Sequence, residues 1–291
     1  MPRVAVVTDT THYLPSELLE RHGVHQVSLY VNWAGEQERE GDLPGFDGFY
    51  ERLRTSSELP TTSQPSVGDF LEVYEPLLAA GHDIVSIHLA SGISGTCGSA
   101  QQAAAELAGR GHPDRVVVFD SRRACGGLGM VVLAAAAAAE GGGDLATVVQ
   151  RAEAARAGSE IWFAIDTLEY LRRGGRIGAA AAWMGTALRI KPILTVEGEI
   201  TPVERVRTSA RARERLVDHL RARRDDGATV WAVQHIQAPE QLERLVEAGR
   251  ELFGSEPLFR SEVGPVIGTH VGPGLLGATG MEPALFEPPP T

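Results

Sequence analysis

The turn ASGISGT, residues 90 to 96, sets Ser91, Ser94 and Thr96 among two glycines, Gly92 and Gly95. Glycine lets a backbone approach a guest closely, and N–H groups at the start of a helix point outward with the positive end of its dipole. With hydroxyl donors added, the chemistry such a turn supports is the holding of an anion. A phosphate loop of the form G-x-x-x-x-G-K-[ST] does not match, and no lysine lies near. The nucleophile elbow G-x-S-x-G is matched one residue short by GISG, so Ser94 reads as a donor before a nucleophile.

Three further segments have related potential. In LPTTSQPS (59 to 66), Ser66 stands three residues before Asp69 with the spacing of a capping box, which assigns it to starting its own helix and leaves Thr62 and Ser63 outside the cap. In LEYLRRGGRIG (168 to 178), Arg172, Arg173 and Arg176 flank a glycine pair that permits unusual backbone angles; a bent arginine cluster can hold a carboxylate or phosphate. GPVIGTHVGPGLLG (264 to 277) places His270 in a glycine–proline loop, where a structural and a functional role are both open.

The elements that must position these turns are legible as alternating periods. RVAVV (3 to 7), DIVSIHL (83 to 89) and RVVVF (115 to 119) are strand-like, and each runs on into a helix pattern. That alternation predicts a parallel sheet, whose ligands bind beyond the C-terminal strand ends, at TDTTHY, ASGISGT and DSRRACGG. Met130–Ala139, MVVLAAAAAA, stops at Glu140 and reads as a packed helix, too short to span a membrane. Composition shifts near 141 to 160; beyond lie IWFAI, RIKPILTV, EITPVERV and ATVWAVQHI, with helix patterns at 208 to 224 and 239 to 252. The short EGE turn predicts an antiparallel hairpin. The expected fold is α/β in two domains: residues 1–158 with a mainly parallel sheet and hydroxyl-rich anion-binding loops, and 159–285 with a mixed sheet. The tail EPPPT reads as unstructured.

Composition narrows the partners. The chain has 291 residues, 43% hydrophobic and 22% charged, as globular proteins do, and a net charge of -11 that disfavours nucleic acid. No apolar run is long enough for stable membrane insertion, and the N-terminus lacks the features of a signal peptide. Cys97 and Cys125 form no disulfide framework, so a cytoplasmic, reducing location is expected. His12, His22 and His25 lack ligand spacing, so no metal site or cofactor is expected.

TTSQPS, SGISGTCGSA, DSRRACGGLG, LEYLRRGGRIG, KPIL and GTHVGPG follow one another in an order that resembles the DegV family of bacterial fatty-acid-binding proteins, the acyl-carrying subunits of fatty acid kinase. The resemblance spans nearly the whole chain. It implies a long-chain fatty acid buried between two α/β domains, with Thr62 and Ser94 hydrogen-bonding its carboxylate, the Gly95 N–H assisting, and His270 beside the same head group. It further maps arginines onto Arg173 or Arg176 and onto Arg205 or Arg207. It implies that an ATP-dependent fatty acid kinase subunit performs the phosphoryl transfer, which fits the missing nucleotide motif. Ala90 and Cys125 stand where serines are common in that family and Cys97 where a large residue is, so Cys97 is expected to reshape the pocket wall. The competing reading is a stand-alone hydrolase using Ser94 with His270 on a lipid-like substrate, which needs a third residue to orient the histidine.

Overall fold

Val4–Asp9 is buried at all six positions, as expected of a parallel strand covered by helices on both faces. In the computed structural model, which describes residues 3–184 and 190–287, it opens a series of strands. In chain order they are β1 (Val4–Asp9), β2 (His25–Val27), β3 (Tyr30–Trp33), β4 (Glu36–Arg39), β5 (Thr61–Ser63), β6 (Asp83–His88), β7 (Val116–Asp120), β8 (Glu160–Ala164), β9 (Lys191–Glu197), β10 (Glu199–Val206), β11 (Val230–His235), β12 (Phe259–Glu262) and β13 (Leu276–Met281).

These strands make three sheets. The first is parallel, in the order β2-β1-β6-β7, and the second is a six-stranded sheet, β10-β9-β8-β13-β11-β12. In the second, β11 and β12 run parallel and every other neighbouring pair is antiparallel, so the sheet is mixed. The EGE hairpin forms as its spacing predicts: Glu197 pairs with Glu199, and Gly198 between them takes a φ of 80°. The third sheet, antiparallel β4-β3-β5, is not anticipated by the periodicity argument above. Its β3–β4 turn uses Ala34 at φ 54° and Gly35 at φ 83°, the left-handed pair that a two-residue hairpin needs.

One helix joins the two larger sheets. Cys125–Glu140 is buried from Cys125 through Ala138, so the alanine-rich run is a packed interior helix. It touches β1 and β6 of the parallel sheet and β8, β11 and β13 of the mixed one. Small residues make this possible: a Cβ on Gly126 would lie 3.2 Å from Gln234 of β11, and one on Gly129 would lie 2.9 Å from Leu14. Its apolar cluster includes Val6 and Ile87 on one side and Ala232 and Phe259 on the other. Helices Val67–Ala79 and Thr96–Gly109 cover the outer face of the parallel sheet, and Ser209–Asp225 and Pro239–Phe253 that of the mixed sheet. No helix among the described residues is long and apolar enough to cross a membrane. From Pro288 onward, the tail expected to be unstructured lies outside the described residues.

Candidate functional site

The turn after β6 and the turn after β5 meet at the C-terminal edge of the parallel sheet. Helix Thr96–Gly109 begins with Gly95 as its N-cap and no capping side chain, so Ser94 stands just ahead of the helix. Its Oγ lies 2.9 Å from the Thr96 hydroxyl and accepts the Thr96 N–H at 3.3 Å. A Cβ on Gly95 would collide with the Gln64 side chain, whose Nε2 donates to Ser99 Oγ at 3.1 Å. That glycine therefore lets the TSQPS segment cross the helix start. Thr62, on β5 opposite Val31, lies 2.8 Å by Oγ1 from His270 Nε2.

His270 comes from the short helix Pro265–Val271, reached through the glycine–proline loop. Burial first, and then the positive charge of Arg176, push its pKa down to about 4, so the ring is neutral near pH 7. Its Nδ1 is buried with no partner among the described residues. The glycine pair in LRRGGRIG has two separate uses. Gly174 has no Cβ to strike the His270 ring, and Gly175 takes a φ of 70° to turn the chain back. The turn delivers Arg176, which donates to Gly174 O at 2.7 Å and to Ile93 O at 3.3 Å, beside Ser94.

These groups border one cavity of about 290 Å³. Thr62, Gln64, Ser94, Arg176 and His270 form its polar end, while Ile93, Ile161, Phe163, Val196, Ile200 and Leu275 supply apolar wall. Such a cavity can take an amphipathic ligand: the apolar chain leaves water, and neutral hydroxyls with one guanidinium meet an anionic head.

Of the residues singled out in the sequence, Thr62, Ser94, Arg176 and His270 line the same cavity, and Gly95 lies beside it against Gln64. Arg173 does not line it; its guanidinium pairs with Glu169 and is 52% exposed. Arg205 is on β10 with its guanidinium over the Trp183 ring at 5.3 Å, and Arg207 is exposed beyond the strand. Cys97 points its thiol toward Leu89 O at 3.6 Å and is not among the lining residues, so it stands behind the wall at Leu89. Cys125 does line the cavity, at a φ of 50°, with its thiol pushed up by burial.

The hydrolase arrangement is not formed. Ser94 Oγ engages Thr96, His270 engages Thr62, and no carboxylate orients His270 Nδ1. A serine–histidine–aspartate chain does exist elsewhere, with Ser86 Oγ 2.7 Å from His88 Nε2 and His88 Nδ1 3.1 Å from Asp9. All three residues are fully buried, and Tyr74 donates to Ser86 at 2.6 Å, so the chain ties β1 to β6 inside the core. No group of three or more His, Cys, Asp or Glu placed to hold a metal occurs among the described residues.

The DSRRACGG turn supplies a residue that sequence reasoning missed. Arg123 is buried and its guanidinium donates to backbone carbonyls: Ser159 at 2.8 Å, Arg156 at 3.1 Å, Arg122 at 3.2 Å and Val196 at 3.3 Å. It fastens the strand that carries Val196 to the edge of the parallel sheet. Burial lowers its pKa, yet a guanidinium remains charged at any ordinary pH.

Comparison with known proteins places the chain among relatives of similar sequence and fold. A DegV domain-containing protein of Streptomyces coelicolor is 43% identical over 278 residues, covering 94% of this chain and 96% of its own. Protein DegV of Bacillus subtilis is 35% identical over 279 residues, covering 94% and 97%. Among solved structures, a DegV family protein from Thermus thermophilus described by its fatty acid binding superposes with a TM-score of 0.85 at 35% identity, over 96% of this chain and 99% of that one. DegV from Bacillus subtilis, described as a fatty acid binding protein, gives 0.85 at 34% identity over 97% and 100%. The family model described as "Uncharacterised protein, DegV family" matches residues 3–282, and this chain belongs to the DegV family.

Proposed function

We propose that this chain binds one long-chain fatty acid, with the acyl chain along the apolar wall and the carboxylate at the polar end, and presents it to a separate ATP-dependent kinase subunit for acyl phosphate formation. The observation that carries the reading is the joining, in one cavity, of Thr62, Ser94, Arg176 and His270 to a wall of aliphatic and aromatic side chains. Each buried methylene contributes about 0.8 kcal/mol, so the chain supplies most of the affinity. The head group contributes orientation. Because His270 is neutral and shares one hydrogen with Thr62, the tautomer in which Nε2–H donates to Thr62 Oγ1 leaves the Thr62 hydroxyl free to donate to a carboxylate oxygen. The Ser94 hydroxyl, the Gly95 N–H and Arg176 complete the set of donors.

The domains of the reading are residues 1–158, which supply Thr62 and Ser94, and 159–285, which supply Arg176 and His270. Its support outside this chain is the description of the Thermus and Bacillus relatives as fatty-acid binders. Native mass spectrometry of the purified protein should show about one fatty acid per chain. With fatty acid and ATP alone the protein should make no acyl phosphate, and with a kinase subunit added it should. Protein that is lipid-free and takes up no added fatty acid would refute the binding reading; turnover without a kinase would refute the division of labour.

A further inference from the structure

Gln234 lies in the wall of the cavity, on β11, and is 2% exposed. Its amide orientation is fixed by its surroundings. Nε2 donates to Ser261 Oγ at 2.9 Å and faces two carbonyls, His12 O at 3.2 Å and Tyr13 O at 3.4 Å. An amide turned the other way would set its oxygen against those two carbonyls, so Oε1 must lie on the opposite side. There it is buried with no hydrogen-bond partner among the described residues. It is turned toward the start of helix Cys125–Glu140, where Gly126 has no side chain to cover it; a Cβ there would come within 3.2 Å. Cys125, next in the chain, is itself cavity wall.

The sheet leaves room in the cavity wall across from Gln234. Gly277 of β13 is the register partner of Gln234 and also lines the cavity. A Cβ at Gly277 would meet nothing closer than 3.6 Å, so its missing side chain opens space at that point of the wall rather than relieving a clash. A buried acceptor without a donor is costly, and a saturated acyl chain passing it offers none.

We infer that Gln234 is a specificity-determining residue whose Oε1 accepts a hydrogen bond from a hydroxyl on the acyl chain, so that the cavity admits hydroxylated fatty acids alongside unsubstituted ones. The inference rests on the fatty-acid reading above. A hydroxyl carried into an apolar wall with no acceptor weakens binding by about five- to a hundredfold; beside Oε1 that penalty is removed.

The test compares ligands that differ by one hydroxyl: ricinoleic against oleic acid, and ω-hydroxypalmitic against palmitic acid, titrated into the purified, lipid-freed chain. The unmodified protein should bind at least one hydroxylated member within about threefold of its parent, or more tightly. In Gln234→Met, which keeps an unbranched side chain without the amide, that member should weaken by about tenfold or more relative to its parent. If both hydroxylated acids bind the unmodified chain tenfold or more weaker than their parents, the inference fails, and that result needs no variant. It fails too if Gln234→Met folds and discriminates as the parent protein does. Failure of oleic and palmitic acids themselves to bind would instead overturn the fatty-acid reading.

Discussion

The two ends of the helix Pro265–Val271 are both held by polar side chains, and the contrast between them separates polar groups enclosed in the fold from those that line the cavity. At the N-terminal end, Glu40 Oε1 accepts the Val266 N–H at 2.7 Å and the Tyr13 hydroxyl at 2.9 Å, while Tyr13 Oη accepts the Ile267 N–H at 3.2 Å. Glu40 is 3% exposed, and Gly264 provides the room in which Glu40, Tyr13 and Phe46 converge. At the other end, His270 meets Thr62 at the cavity wall with Nδ1 unpartnered. The cluster closed off from the cavity positions the helix; the one open to it holds, under the proposed function, bonding capacity for a ligand. Access to the cavity, rather than polarity or internal satisfaction, is what distinguishes them, since Glu40 Oε2 and His270 Nδ1 are both buried without a hydrogen-bond partner among the described residues, while of these side chains only Thr62 and His270 line the cavity.

The largest expected effect breaks the closed end. Burial raises the Glu40 pKa from 4.5 to about 7. As pH rises from 4.5 through 7 the unfolded chain releases this proton while the folded chain still holds it, so stability is fully present below the lower value and lost on passing the upper one. The loss is about 3 kcal/mol for a shift of this size. His12, His219 and His270, each lowered by burial to about 4, act with the opposite sign, their contribution falling as pH drops from 6.5 toward 4. Glu40→Gln keeps an acceptor oxygen and removes only the ionisation. The difference between parent and variant in urea unfolding, followed from pH 4 to 8, should isolate the Glu40 slope. A difference that is flat with pH would show that Glu40 does not titrate in this range.

A smaller effect, and one of a different kind, is expected at the open end. Thr62→Val preserves the β5 backbone and removes the hydroxyl, so fatty-acid affinity should fall by about 1 to 3 kcal/mol, or roughly 5- to 150-fold, with the lipid-free melting temperature little changed. Thr62→Ser should restore most of the affinity. Equal loss of melting temperature and affinity in Thr62→Val would place Thr62 with Glu40, as a structural group.

The smallest effects compare two serines at helix starts. Ser66 caps the helix Val67–Ala79 in a complete capping box with Asp69, so Ser66→Ala should cost about 0.5 to 2 kcal/mol of stability and leave binding intact. Ser94→Ala should weaken binding by about 1 kcal/mol or more, with a lesser effect on melting. Paired melts and titrations decide, since an early-melting Ser94→Ala that binds normally would reduce this turn to a helix start.

The alternating strands and helices, the interior alanine run and the EGE hairpin were readable because each depends on local period and turn chemistry. The antiparallel sheet carrying Thr62 was written in the chain too, since Tyr30, Val31, Asn32 and Trp33 alternate in burial ahead of the Ala34–Gly35 turn, but four residues are a short signal. The ordered motifs brought Thr62, Ser94, Arg176 and His270 into view. What local pattern does not encode is partnership across the fold. Arg173 and Arg176 flank the same glycines, and only the turn at Gly175 sends one into the cavity and leaves the other beside Glu169. Glu40, Arg123 and Gln234 look like ordinary polar residues until segments more than thirty residues away close around them.

The place of β13 in the mixed sheet governs the order in which the protein can be completed during synthesis. It lies between β8 and β11, yet among the described strands it is the last in chain order. Until Leu276–Met281 has left the ribosome, β8 with its hairpin and β11 with β12 have no strand to join them, and the side of helix Cys125–Glu140 that faces β13 stays uncovered. A nascent chain stalled before this strand therefore exposes a wide apolar surface to chaperones and proteases, and the emergence of β13 closes the interior and the cavity together.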